Sequence, residues 1–183
     1  MARKSVVELD AQADATLPDN ITGLITPAAV RNMIKDFLNA FRPQYAAMSL
    51  TTPLPQGLTA TYAAFPFETV IAVNTEFTAV PATGLVTKIE RGSVRVSLNI
   101  DFVAPNGTTV SFCIFVDGVA SAWVVAATQP GTNDVVSVAM SMLTFSSALT
   151  PTIQVRAKIS TPGSVTLSNG VLVVEAVPVN SYT

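Results

Sequence analysis

The residue types that do chemistry are few in this 183-residue chain, which has one cysteine, Cys113, and no histidine. A cysteine nucleophile needs a base or cation nearby to hold it as thiolate. Cys113 instead stands between Phe112 and Ile114 with no basic neighbour in sequence, and it reads as a buried thiol on a strand. Without imidazole there is no histidine triad and no imidazole metal site. The carboxylates Glu68, Glu76, Glu90, Asp101, Asp117, Asp134 and Glu175 are scattered, and nothing in their spacing pairs two of them as general acid and base. LPDNITG (17–23) and NIDFVAPNG (99–107) offer oxygen ligands without calcium-loop spacing, and the glycines form no phosphate loop. Asn20-Ile-Thr22 and Asn106-Gly-Thr108 match glycosylation sequons but read as turn chemistry. The sequence predicts no enzyme, no cofactor and no bound metal.

Charge excludes further classes. Ten basic and 12 acidic residues give a net charge of −2, with no basic face for nucleic acid. Charged residues make up 12% of the chain, against roughly 25% in a typical soluble domain. They crowd one end: Arg3, Lys4, Glu8, Asp10, Asp14, Asp19, Arg31, Lys35, Asp36 and Arg42 all fall within residues 1–45. Later apolar runs are too short or too interrupted to cross a bilayer, so no membrane insertion is expected. Glu8, Asp10 and Asp14 interrupt any signal-peptide core, which predicts synthesis in a cytoplasm without export. A lone cysteine also rules out an internal disulfide framework.

The elements follow from periodicity. In GLITPAAVRNMIKDFLNAFRP (23–43), Thr26 suits an N-cap and Pro27 the first helical position. Val30, Met33, Ile34, Phe37, Leu38 and Phe41 make one apolar stripe at helical spacing. A lone helix of about four turns is marginal in water, so the stripe must bury against something. Residues 4–15 read either as a short helix or as an arm without fixed structure. The stretch 46–57, with Pro53, Pro55 and Gly57, reads as a Pro-rich linker. From residue 58 the period becomes two. Val94, Val96, Leu98, Ile100 and Phe102 alternate with polar residues. Val110, Phe112, Ile114 and Val116 form a second inward row, Val136, Val138, Met140 and Met142 a third, and Ile153, Val155, Ala157 and Ile159 a fourth. Asp117-Gly118 signals a two-residue hairpin. Turn signals every 8–12 residues predict an antiparallel sandwich or barrel over 58–183.

Three strands, near 112–116, 122–127 and 171–177, are apolar or small on both faces. Either loops of the same chain cover the second face, or another copy does. The charge-poor surface favours another copy, with Phe115, Trp123, Val125, Val171 and Val173 as interface residues. Tyr62 and Trp123 are the aromatic residues that suggest sugar stacking, although Trp123 fits a core more naturally.

The run GSVRVSLNIDF…NGVLVVEAV (92–177) resembles the tumour-necrosis-factor and complement-type trimeric jelly roll in its order of strands, its F-x-VDG hairpin and its closing strand. VVELDAQADATLPDNITGLITPAAVRN (6–32) looks like N-terminal segments of bacteriophage virion proteins, small fibre and decoration proteins in particular. The resemblance implies a homotrimeric jelly-roll head and a helical anchor, residues 1–45, attached to a phage capsid or tail protein in the virion. The alternative it leaves open is a tail fibre knob that binds a host-surface receptor or glycan through loops 104–109, 117–121 and 128–134.

Overall fold

A computed structural model describes residues 11, 12, 15, 27–40 and 43–177. The chain divides into two compact units between Pro43 and Gln44. In the first, helix α1 spans Pro27–Ala40, opening on the proline whose missing N–H suits that position. Ala11, Gln12 and Ala15 are also helical; the rest of 4–15 lies outside the described residues, as does Phe41. Gln12 Nε2 donates to Asp36 Oδ2 at 2.8 Å.

The second unit contains 12 strands: β1 (Tyr45–Leu50), β2 (Leu54–Leu58), β3 (Ala63–Ala64), β4 (Thr69–Val73), β5 (Phe77–Val80), β6 (Leu85–Lys88), β7 (Gly92–Val103), β8 (Thr109–Val116), β9 (Val119–Thr128), β10 (Val136–Ser146), β11 (Thr152–Ile159) and β12 (Gly163–Ala176). They form two antiparallel six-stranded sheets. The first runs β10-β7-β12-β1-β4, with β2 also on β12; the second runs β5-β6-β11-β8-β9, with β3 also on β11. Strands adjacent in space are mostly distant in sequence, as in a jelly-roll sandwich.

Period-two patterning is realised in the long strands. Val94, Val96, Leu98, Ile100 and Phe102 are all buried on β7, and Ile153, Val155, Ala157 and Ile159 on β11. The two sheets meet through aromatic rings. Phe112 of β8 lies edge-on to Phe65 at 6.1 Å between centroids and 6.1 Å from Phe102 of β7, while Phe65 also packs on Phe67 at 5.5 Å. Such offset and edge-to-face pairs add to the gain from burial alone.

The expected linker at 46–57 is corrected. Its first residues are β1, a strand paired on both sides, by β12 and β4, with Ala46, Met48 and Leu50 fully buried. The alternation is there, but it is written in alanines and a serine, so its amplitude is low. Pro55 lies in β2, which pairs only with β12; a proline's missing donor is tolerated at such an edge.

Two left-handed turns do what their residues predict. Asp117 (φ 51°) and Gly118 (φ 78°) close the hairpin in which Val116 faces Val119, the primed turn geometry that Asp-Gly favours. Gly84 has φ 62°, and a Cβ there would lie 2.5 Å from the Phe65 carbonyl oxygen. Only glycine fits.

Glu68 staples the β1–β2 turn. Its Oε2 accepts from Thr51 Oγ1 at 2.5 Å and Thr51 N at 2.8 Å, and its Oε1 accepts from Thr52 N at 3.1 Å. These bonds, those from Thr51 foremost, lower its pKa from 4.5 to about 2. A depressed folded pKa means that the contribution to stability is complete above the unfolded value and is lost as pH falls through the folded one. Melting temperature should therefore fall between about pH 4.5 and 2 more steeply in the native chain than in Glu68→Gln. Parallel acid profiles for the two proteins would refute this role for Glu68.

Candidate functional site: an apolar edge and face

The carboxylates that sequence reading found scattered mostly have structural partners. Asp117 accepts from Ser146 Oγ at 2.5 Å and from Thr152 N at 2.8 Å, tying the β8–β9 hairpin to β10 and β11. Asp101 accepts from Ser137 and Asn169. Glu175 lies 3.7 Å from Arg95. Glu76 pairs with Lys88 at 4.0 Å, both largely buried, and Lys88 Nζ also donates to the carbonyls of Glu90 and Arg91. Sequence gave no signal for this internal pair, since nothing local marks which cation is buried. Among the described residues no group of three or more Cys, Asp or Glu gathers to hold a metal. No helix among them is long and apolar enough to cross a membrane. Cys113 is fully buried, its Sγ 3.6 Å from the Ser121 carbonyl oxygen.

The loops expected to act together separate into two ends. Buried Gln129 joins 104–108 to 129–135: its Oε1 accepts from Ala104 N at 3.1 Å, and its Nε2 donates to the carbonyls of Gly131 and Asp134. Asp117-Gly118 follows the other end of β8, about 26 Å away at ~3.3 Å per residue.

The expected interface residues divide. Phe115 is covered: Arg156 Cζ lies 4.2 Å from its ring centroid and Tyr62 meets it edge-on at 5.7 Å. Val125 is partly buried and packs on the core. For Phe115 the chain itself supplies the cover that was expected from another copy, whereas Val125 keeps part of its surface open. Trp123 does the reverse of Phe115. Expected at an interface, and in a core rather than stacked on a sugar, it is 65% exposed in the protomer on β9, where the pairing with β8 is irregular between Cys113 and Phe115 and Ser121 Oγ accepts from Trp123 N. Val171 and Val173 alternate with the buried Leu172 and Val174 of β12, facing outward.

Two apolar surfaces result, and sequence reading missed half of each. Strands β9 and β10 neighbour each other across one edge of the sandwich. That edge exposes Trp123 and Val124, with Leu143 (63%) and Phe145 (61%) at the end of β10 and Leu149 (70%) just beyond. On the outer face of the first sheet, Leu143 and Phe145 stand opposite Arg95 and Ser93 of β7. Past the polar β7 row of Arg95, Ser97, Asn99 and Asp101 come the half-buried Val171 and Val173, then the buried Ala47 and Ser49 of β1, which face Ala72 and Thr69 of β4, with exposed Ile71 at the bulge between them. The alternation of β10 is legible through its inward Val136, Val138, Met140 and Met142, and it leaves the outward Leu143 and Phe145 without a role.

On α1, Val30 and Met33 are half-buried, whereas Ile34, Phe37 and Leu38 are 48%, 54% and 61% exposed.

This architecture has a counterpart among solved structures. "Structure of Eiger TNF from S. frugiperda" aligns at a TM-score of 0.55 and 13% sequence identity, covering 78% of this chain and 98% of that one. The fold is a tumour-necrosis-factor-like jelly roll. At this identity the likeness is one of backbone architecture, consistent with β7 to β12 following the strand order that the sequence predicts. No protein-family model and no curated protein matches the chain.

Proposed function

We propose that this protein is a structural component of a bacteriophage virion: a short homotrimeric fibre or decoration protein, headed by the jelly roll and attached to the head or tail through residues 1–45. The observation that carries the reading is an exposed apolar edge, Trp123/Leu143/Phe145/Leu149, on a sandwich whose first sheet also turns the half-buried Val171 and Val173 outward. Large exposed apolar patches mark interfaces. Two different patches on one protomer satisfy each other when the edge of one copy lies on the face of the next, and such a head-to-tail contact stays finite only if it closes into a ring. A closed ring of three is the assembly that the jelly-roll resemblance implies.

The attachment rests on the other unit. The stripe of α1 leaves Ile34, Phe37 and Leu38 between 48% and 61% exposed, and residues 6–32 carry the likeness to phage virion segments. Burying one Phe or Ile contributes about 1.5–3 kcal/mol, and three arms on one head reinforce each other through multivalency. Sedimentation of the purified chain should give three times the 19.1 kDa protomer mass. Phe37→Asp should keep that mass and fold but fail to join particles assembled in infected cells. A clean monomer at micromolar concentration would sink the trimer, and normal incorporation of Phe37→Asp would move the anchor off α1.

A further inference from the structure

The second sheet carries a different kind of surface. Its outer face holds two cations on one strand, Arg156 and Lys158 of β11, two residues apart and so about 6.6 Å apart along the strand. Each lies on an aromatic ring: Arg156 Cζ is 4.2 Å from the Phe115 centroid and Lys158 Nζ is 4.6 Å from that of Tyr62. The two rings meet edge-on at 5.7 Å. Gln154 Oε1 accepts from Arg156 Nε at 2.7 Å while its Nε2 donates to the Thr83 carbonyl. The guanidinium is thus fixed through its face and its Nε. No acidic residue occurs anywhere in β3, β5, β6, β8, β9 or β11. Like charges held this close on a partly buried floor repel each other, and an anion bridging them relieves that repulsion.

From this geometry we infer that the face formed by Tyr62, Gln154, Arg156 and Lys158, floored by the buried Phe115 ring, binds an acidic polysaccharide, with sugar carboxylates on the two cations. Carboxylate suits the planar guanidinium, which offers parallel N–H donors. A saccharide suits the rest better than a peptide does. β11 is hydrogen-bonded to β8 on one side and to β6 and β3 on the other, so its backbone has nothing to offer a peptide, which adds to sheet edges. What remains are the amide of Gln154, the hydroxyl of Ser111 and the partly exposed ring of Tyr62, groups that serve sugar hydroxyls and C–H faces. The inference does not rest on the trimer, whose proposed contacts are the outer face of the first sheet and the β9–β10 edge rather than β11.

The test is direct binding of the full chain to polygalacturonate, with neutral dextran and poly-L-glutamate as comparisons. Hydrogen bonds to charged groups are worth roughly tenfold or more in affinity each. Arg156→Gln with Lys158→Gln should therefore weaken polygalacturonate binding about a hundredfold, while Arg91→Gln, an exposed cation elsewhere, leaves it unchanged. Dextran should not bind, and polyglutamate should bind about tenfold or more weakly than the uronate. Should the double variant lose its far-UV spectrum, Lys158→Glu alone replaces it, with a loss of about tenfold or more. Undiminished binding by these variants, equal binding of polyglutamate, or no binding of millimolar uronate to the native chain would each overturn the inference.

Discussion

Phe112→Ala should cost the sandwich about 3–5 kcal/mol, the range for removing a buried aromatic ring. Phe112 is fully buried on β8. Its ring lies between Phe102 from the opposite sheet and Phe65 from the segment leading into β4. Truncation therefore removes two aromatic contacts as well as the apolar area. The void cannot close easily, because β8 is hydrogen-bonded to β11 on one side and β9 on the other. Against a typical total stability of about 5–15 kcal/mol, the loss is large. Urea denaturation should show a lower midpoint with an unchanged slope. Phe112→Leu, which keeps most of the volume, should cost less than about 1.5 kcal/mol. A Phe112→Ala variant within about 1 kcal/mol of native would mean that the two sheets do not depend on this ring, contrary to the packing.

The double variant Leu143→Asp with Phe145→Asp should turn the proposed trimer into a folded monomer. Both side chains point outward on β10, alternating with the buried Met140 and Met142, so the protomer core does not need them. At an interface each contributes about 1.5–3 kcal/mol when buried, and the aspartate at position 145, opposite Ser93, adds the cost of burying an unpaired charge. The combined loss raises the dissociation constant by about three orders of magnitude or more. Sedimentation should give a single protomer mass, and the melting temperature should no longer depend on protein concentration. If the trimer persists, the edge of the sandwich is not the contact.

Much of the fold was legible where the alternation had amplitude. Val94–Phe102 could sit only as a strand with one dry face, because a slip of one residue would bury Arg95, Asn99 and Asp101. Asp117-Gly118 could close only a tight hairpin, and the stripe after Pro27 could form only a helix. The candidate site was legible in part. Val171 and Val173 were named from their two-sided strand, whereas Leu143, Phe145 and Leu149 were passed over.

What the sequence by itself determined is the set of elements and the inward face of each long strand, since these depend on residues two to four positions apart. Tertiary structure alone decided which outward apolar residues stay exposed. Phe115 and Trp123 look alike in sequence, both aromatic on strands without clean alternation. Phe115 is roofed by Tyr62, from a segment some fifty residues earlier, and by Arg156 from a strand some forty residues later, while Trp123 stays 65% exposed among the described residues. The same holds for β1, whose alanines and serine look like spacer until β12 and β4 close on both sides of it. Cover of this kind comes from contacts distant along the chain, and no local pattern records them.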